Sequence, residues 1–178
     1  MARTPLNTRD PFAGYGLTSV VLHWLTAVAA VALFLTRGPD WAEIHLSVAL
    51  LATPVFLFHV YWRIKRGFPR ITDQPAFVNL IERLVILALF LCMLTVAVTG
   101  LAIPPLEGRP LAFFDIVSFA VPFPVDRASA EIVREVHDLA ARAFLPLAAL
   151  HILGALYHHA VRKDAVLMRM ARPVPRGK

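Results

Sequence analysis

Four uninterrupted apolar runs dominate this chain of 178 residues. They cover residues 17–36, 44–62, 84–106 and 143–161, and none contains Asp, Glu, Lys or Arg. A helix needs about 20 residues to cross about 30 Å of hydrocarbon, and a helix of a soluble protein seldom lacks charge on every face. The runs therefore predict an all-α membrane protein, a bundle of four transmembrane helices.

The composition excludes a soluble domain of ordinary type. Apolar residues make up 58% of the chain and charged residues only 17%, against about 25% charged residues in soluble domains. We predict one membrane domain over residues 1–178, with a fourth span of about 139–161. The longest connection, about 107–135, is rich in phenylalanine and is predicted to lie at the membrane interface over the outer end of the bundle.

The basic residues are distributed asymmetrically between the two sides of the predicted bundle. If both termini are cytoplasmic, the cytoplasmic segments contain 13 of the 18 basic residues, as the positive-inside rule requires. These are Arg3, Arg9, Arg63, Lys65, Arg66, Arg70, Arg83, Arg162, Lys163, Arg169, Arg172, Arg176 and Lys178. The net charge of +6 is thereby explained by topology and anionic lipid headgroups, and no nucleic acid partner is predicted.

Histidines are the main candidates for chemistry inside the membrane. The chain has a single cysteine, Cys92, which excludes cysteine-rich metal sites and C-x-x-C-H haem attachment. An ionisable residue inside a span is costly and marks function by default. Five of the seven histidines have the relevant spacing: His23, His45, His59, His137 and His151.

The spacing places these histidines at two depths. His45 and His59 are 14 residues apart, as are His137 and His151, which separates each pair by about 21 Å on one helix face. His45 and His137 then share an outer level, and His23 reaches the inner level. Two facing imidazoles at each level are what two six-coordinate haems require. Zinc would need three or four ligands converging on one point.

The inner ligand set stays open on spacing alone, because His59 is as deep as His23. Either His23 and His151 or His59 and His151 form the inner pair. A non-redox membrane protein in which the histidines only pack is the competing class.

Several segments together resemble the prokaryotic cytochrome b561 family over nearly the whole chain, and within it the small dihaem type described as superoxide oxidase. The segments are Leu22-His23-Trp24, Ile44-His45-Leu46-Ser47, Glu135-Val-His137, Leu150-His151 and the terminal block from His158-His159 through Lys163-Asp164 to Met170. The resemblance implies two haem b groups, one held by His45 and His137 and the other by His23 and His151. It leaves His59 as a candidate partner for a haem propionate.

The resemblance also implies a reaction and its partners. We expect a multi-pass protein of the bacterial inner membrane that oxidises superoxide at the periplasmic face and reduces ubiquinone. The alternative is a quinol-oxidising cytochrome that passes electrons to a periplasmic redox protein. The oligomeric state is not predicted.

Two further pairs of residues are candidates for substrate sites. His158 extends the stripe of His137 and His151, and it is a candidate quinone ligand at the inner interface. Arg83 is a second quinone candidate, because the start of the third span departs from the family pattern there. Arg37 and Arg127 at the outer mouth are candidates for attracting superoxide.

Overall fold

The computed structural model describes residues 15–67 and 74–172 of the chain. Four long helices form the body of the molecule: α1 (Leu17–Leu35), α2 (Ala42–Arg66), α3 (Ala76–Leu106) and α4 (Arg127–Tyr157). Each is long and apolar enough to cross a membrane. The predicted fold class, a bundle of four membrane-spanning helices, is confirmed. The predicted cytoplasmic residues Arg3, Arg9, Arg70, Arg176 and Lys178 lie outside the described residues.

Short elements join and close these helices. A single 3-10 turn, Pro39–Trp41, links α1 to α2. Between α3 and α4 lies an antiparallel hairpin of β1 (Leu111–Phe113) and β2 (Val117–Phe119), in which Leu111 pairs with Phe119. After α4 come a π-helical turn, His158–Arg162, and the short helix α5 (Val166–Ala171).

Two helices extend well beyond their charge-free runs. The third begins at Ala76, although its apolar run starts at residue 84, and the fourth begins at Arg127, ahead of the predicted 139. Each has 31 residues, or about 46 Å of helix, which exceeds the hydrocarbon thickness. Asp126 starts α4 because its carboxylate accepts a hydrogen bond from the backbone N–H of Ser129 at 3.2 Å. The connection is therefore shorter than the predicted loop.

The two ends of the bundle are recognised by contacts between distant parts of the chain. The indole N–H of Trp24 on α1 donates to the carbonyl oxygen of Met170 on α5 at 2.9 Å. The start of α1 and the last described helix therefore lie at one end, which we call the inner end after the predicted orientation. The hairpin lies at the opposite, outer end.

The helices do not all pack on one another. α1 packs on α2, α2 on α3, and α3 most closely on α4. Within the described helices, no Cα atom of α4 lies within 8 Å of a Cα atom of α1 or α2. The buried core is small, and it consists of Ala52, Phe56, Met93 and Ala97 between α2 and α3. The backbone of α4 therefore lies farther from α1 and α2 than from α3.

Candidate functional site

His45 and His137 face each other between α2 and α4. His45 lies in the first turn of α2 and His137 lies in α4, and no Cα atom of one helix lies within 8 Å of a Cα atom of the other. The centres of the two imidazole rings are 6.4 Å apart, and the ring planes are inclined by 78°. The two side chains therefore approach each other between helices whose backbones stay apart.

The ring separation matches that of two imidazoles on opposite sides of one metal ion. An imidazole nitrogen lies about 2 Å from a bound metal and about 1 Å from the centre of its own ring, so the two ring centres are about 6 Å apart. Across residues 15–67 and 74–172, no group of three or more His, Cys, Asp or Glu side chains gathers around a single point. A planar group with two axial imidazoles fits these donors, whereas a tetrahedral ion does not.

The end of α1 fixes the His45 ring. Its Nδ1 lies 3.0 Å from the carbonyl oxygen of Leu33 and 3.4 Å from the hydroxyl of Thr36. A carbonyl oxygen only accepts hydrogen bonds, so Nδ1 carries the proton and Nε2 keeps its lone pair. The short link between α1 and α2 makes this contact possible, because it brings the last turn of α1 beside the first turn of α2.

Helix α3 fixes the His137 ring, although it supplies no histidine. Nδ1 of His137 lies 3.0 Å from the hydroxyl oxygen of Thr99. Thr99 uses its own proton to donate to the carbonyl oxygen of Thr95 at 2.5 Å. Thr99 therefore accepts from His137, and this again leaves Nε2 with a free lone pair.

Gly100 gives the His137 ring its space. A Cβ atom at this position would lie 3.0 Å from Cε1 and 3.4 Å from Nδ1 of His137. Contacts this short require the ring to move. The absence of a side chain at Gly100 thus lets α3 approach α4 closely while the imidazole keeps its place.

The inner level contains three histidines. The ring centre of His23 on α1 lies 6.1 Å from that of His151 on α4 and 6.4 Å from that of His59 on α2. Both separations match a shared metal ion, so distance does not choose between them. The helices differ, because α1 packs directly on α2 but has no close backbone contact with α4.

His59 has the environment of a packed polar residue. It is only 6% exposed, and its Nδ1 lies 3.0 Å from the hydroxyl of Thr26 on α1. Its ring meets the edge of Phe90 on α3 with ring centres 5.2 Å apart. His59 thereby joins α2 to α1 and α3, the two helices that pack on it.

At the inner end, His158 lies between two carboxylates. Its Nδ1 is 2.6 Å from Oδ2 of Asp164, and its Nε2 is 2.8 Å from Oε1 of Glu82 on α3. The side chain is 5% exposed. Both ring nitrogens are thus occupied within the protein. Arg83, the residue after Glu82, is exposed.

The pKa of Asp164 reflects this arrangement. Burial alone raises the pKa of this carboxyl group, but hydrogen bonds from His158 and from the backbone N–H of Val166 outweigh burial and lower it. Asp164 is therefore held in the charged form that His158 pairs with.

The outer arginines divide into two kinds. Arg109 and Arg134 both pair with Glu107, the former at 2.5 Å. Burial raises the pKa of Glu107, but these two guanidinium groups outweigh burial and lower it. Arg37 and Arg127 are exposed, and neither forms a salt bridge with any acidic side chain in the described part of the chain. The guanidinium of Arg37 lies 4.1 Å above the ring of Phe34.

Several residues of this site were not predicted from the sequence. They are Thr26, Leu33, Thr36, Glu82, Thr99, Gly100 and Asp164. Two of them, Thr99 and Gly100, do have a sequence signal. Thr99 lies four residues after Thr95 in an otherwise apolar run, and Gly100 follows it immediately. A backbone carbonyl such as that of Leu33 has no sequence signal at all.

Comparison with known proteins agrees with this architecture. A family model described as prokaryotic cytochrome b561 matches residues 14–173. Cytochrome b561 homolog 2 of Escherichia coli strain K12 is 26% identical over 169 residues, which cover 88% of this chain and 90% of that protein. Cytochrome b561 homolog 1 of the same strain is 24% identical over 179 residues, with 92% and 98% coverage.

The matched region contains all four membrane helices and every histidine described above. Membership implies haem b and an electron-transfer function in a multi-pass bacterial membrane protein. The chain belongs to the prokaryotic cytochrome b561 family.

Proposed function

We propose that this protein holds two haem b groups and transfers electrons between the outer face and membrane quinone. His45 and His137 would hold the outer haem, and His23 and His151 the inner haem. One observation carries this assignment. In each pair the ring centres are 6.4 or 6.1 Å apart, although the two helices have no Cα atoms within 8 Å of each other.

The same observation favours His151 over His59 as the partner of His23. A macrocycle between His23 and His59 would have to separate α1 and α2, which pack directly. His59 stays in the proposal as a polar partner for a haem propionate, held by Thr26 through Nδ1. Its Nε2 is the atom that would face the propionate.

The proposed outer reaction is the oxidation of superoxide. Two superoxide anions each give up one electron and leave as dioxygen, and one ubiquinone takes up the two electrons and two protons to become ubiquinol. The haem irons supply one-electron oxidation and reduction. Arg37 and Arg127 would attract the anion, and Arg37 directly follows Thr36, whose hydroxyl lies 3.4 Å from His45.

The proposed quinone site lies at the inner end, with Arg83 and His158 as its candidate residues. Because both nitrogens of His158 face carboxylates, Arg83 is the better candidate for a direct hydrogen bond to a quinone carbonyl. His158 would act there by holding Glu82, the neighbour of Arg83, in place.

A haem count on single variants tests the ligand assignment. We expect His23→Ala, His45→Ala, His137→Ala and His151→Ala each to lose at least one of the two haems in a pyridine haemochrome assay. His59→Ala is the matched control, and it should retain both. Loss of a haem in the His59 variant with retention of both haems in the His23 or the His151 variant would overturn the inner assignment.

Stopped-flow reduction of the purified protein by superoxide tests the reaction. At low salt, Arg37→Ala and Arg127→Ala should slow reduction, and added salt should remove the difference. Arg109→Ala is the control, because the guanidinium of Arg109 is already paired with Glu107, whereas Arg37 and Arg127 form no salt bridge within the described residues. Absence of superoxide-dependent reduction in the unmodified protein would favour the quinol-oxidising alternative.

A further inference from the structure

The imidazoles of the outer level share a feature that the inner pair lacks. Both donate a proton from Nδ1 to a neutral oxygen acceptor, the Leu33 carbonyl for His45 and the Thr99 hydroxyl for His137. An imidazole that donates in this way becomes a more basic ligand and stabilises the higher oxidation state of a bound metal.

The Leu33 carbonyl is a strong acceptor for a structural reason. α1 ends at Leu35, so this carbonyl is one of the last four in the helix and has no backbone N–H partner within it. These carbonyls also form the negative end of the helix dipole. His45 is thus held against a locally negative group.

The inner level has a different electrostatic environment. In the described part of the chain, no hydrogen bond to a ring nitrogen of His23 or His151 is found. Arg63 lies one turn beyond His59 on α2 and is 5% exposed. Its Nη2 donates to the hydroxyl of Ser19 at 2.6 Å, and Ser19 lies one turn from His23 on α1. A buried cation therefore lies about one helical turn from His23 and His59.

A fixed positive charge disfavours the oxidised, more positive form of a neighbouring redox centre, and it acts strongly where the dielectric constant is low. The Arg63 cation therefore raises the reduction potential of the inner site, and the Leu33 and Thr99 acceptors lower the reduction potential of the outer site. Both effects widen the same difference in potential.

We propose that Thr99, the Leu33 carbonyl and Arg63 set the direction of electron transfer, because they make the outer site the one of lower reduction potential. This rests on the proposed function, since it needs two haem sites. Electrons arriving at the outer face would then run downhill to the inner site. Electron transfer in the opposite direction, from quinol to an outer partner, would be unfavourable between the two sites.

An optical redox titration of the purified protein in lipid nanodiscs tests this. Two separate midpoints are expected, and His137→Ala should remove the lower one. Thr99→Val should raise the lower midpoint, reducing the equilibrium constant for outer-to-inner transfer about tenfold. Thr99→Ser keeps the hydroxyl and should have the same lower midpoint as the unmodified protein.

Arg63→Gln tests the inner half independently and should lower the upper midpoint without moving the lower one. A lower midpoint that disappears in His151→Ala would overturn the proposal, as would equal midpoints for Thr99→Val and Thr99→Ser. A titration and haem count showing fewer than two haems in the unmodified protein would instead contradict the proposed function. These results are distinguishable.

Discussion

The histidines at the two ends of this bundle are held by different forces. At the outer end, backbone carbonyls and hydroxyl groups hold His45 and His137, and the hydroxyl of Ser47 accepts a hydrogen bond from the backbone N–H of Phe114 at 2.8 Å. At the inner end, His158 joins Glu82 to Asp164 through charged groups.

The difference has a physical consequence. Neutral hydrogen bonds depend little on pH and salt, whereas ion pairs depend on both. We therefore expect the contacts of His45 and His137 to persist over a wide pH range and the contacts of His158 to loosen when its charged partners change. The outer end is where precise ligand geometry is needed in the proposed function.

The largest effect is expected from filling the space beside His137. Gly100→Val should displace the imidazole and reduce the haem count from two to one, because even a Cβ atom would lie 3.0 Å from the ring. Gly154→Val makes the same change on α4 where nothing lies within 4 Å of the new Cβ, and it should keep both haems. Two haems in Gly100→Val with an unchanged spectrum would show that steric fit does not control the outer site.

Breaking the inner ion pairs should destabilise the protein moderately. Asp164→Asn and Glu82→Gln each remove a charged partner from a buried imidazole, at a cost of about 1–3 kcal/mol. Thermal unfolding monitored by intrinsic fluorescence should show a lower midpoint for both. Asp40→Asn, an exposed carboxylate at the outer end, should leave the midpoint unchanged. Equal midpoints for all three variants would mean that the inner ion pairs do not stabilise the fold.

Acid should release the segment after α4. The pKa of Asp164 lies below its ordinary value of 3.8, so its contribution to stability is complete above pH 3.8 and is lost as the pH falls through the lowered pKa. Pepsin should cleave α5 faster below that point, with a step that is absent in Asp164→Asn. An identical pH profile in the variant would assign the step to other carboxyl groups.

The smallest effect concerns the hairpin. Ser47 is fully buried, and Ser47→Ala should cost about 1 kcal/mol, equivalent to about fivefold faster hydrogen exchange at the Phe114 amide. Exchange mass spectrometry of a peptide covering 110–119 measures this. Ser118→Ala on the exposed strand β2 is the control. Equal exchange in both variants would show that Ser47 does not hold the hairpin.

The helices were the most predictable part of the fold. Hydrocarbon imposes a length of about 20 apolar residues on every span, so the four runs could be recognised by counting. Their ends were less predictable, because the first turns of α3 and α4 lie outside the apolar runs. Hydropathy detects the part of a helix that lies in hydrocarbon and gives no signal for the part that lies in water. The apolar composition of residues 111–119 predicted a location at the membrane interface, but it did not predict the two strands of the hairpin.

The two histidine levels were also predictable, since a helix advances a fixed distance per residue. The choice between His23 and His59 as the partner of His151 was not, because both lie at the same depth. The structure adds which helix backbones approach each other: α1 packs on α2, whereas no Cα atom of α1 lies within 8 Å of a Cα atom of α4. Such distances relate residues far apart in sequence, and no local pattern encodes them.

By itself, the sequence determined that the chain spans a membrane four times and brings histidines to two depths, because both follow from periodicity and solvent. Only the tertiary structure decided which groups surround each histidine. Helix packing brings the Leu33 carbonyl to His45, and Thr99 and Gly100 to His137. It also brings Arg63 to Ser19, one turn from His23. The environment of each histidine depends on contacts between residues distant in sequence, and these contacts depend on how whole helices pack together.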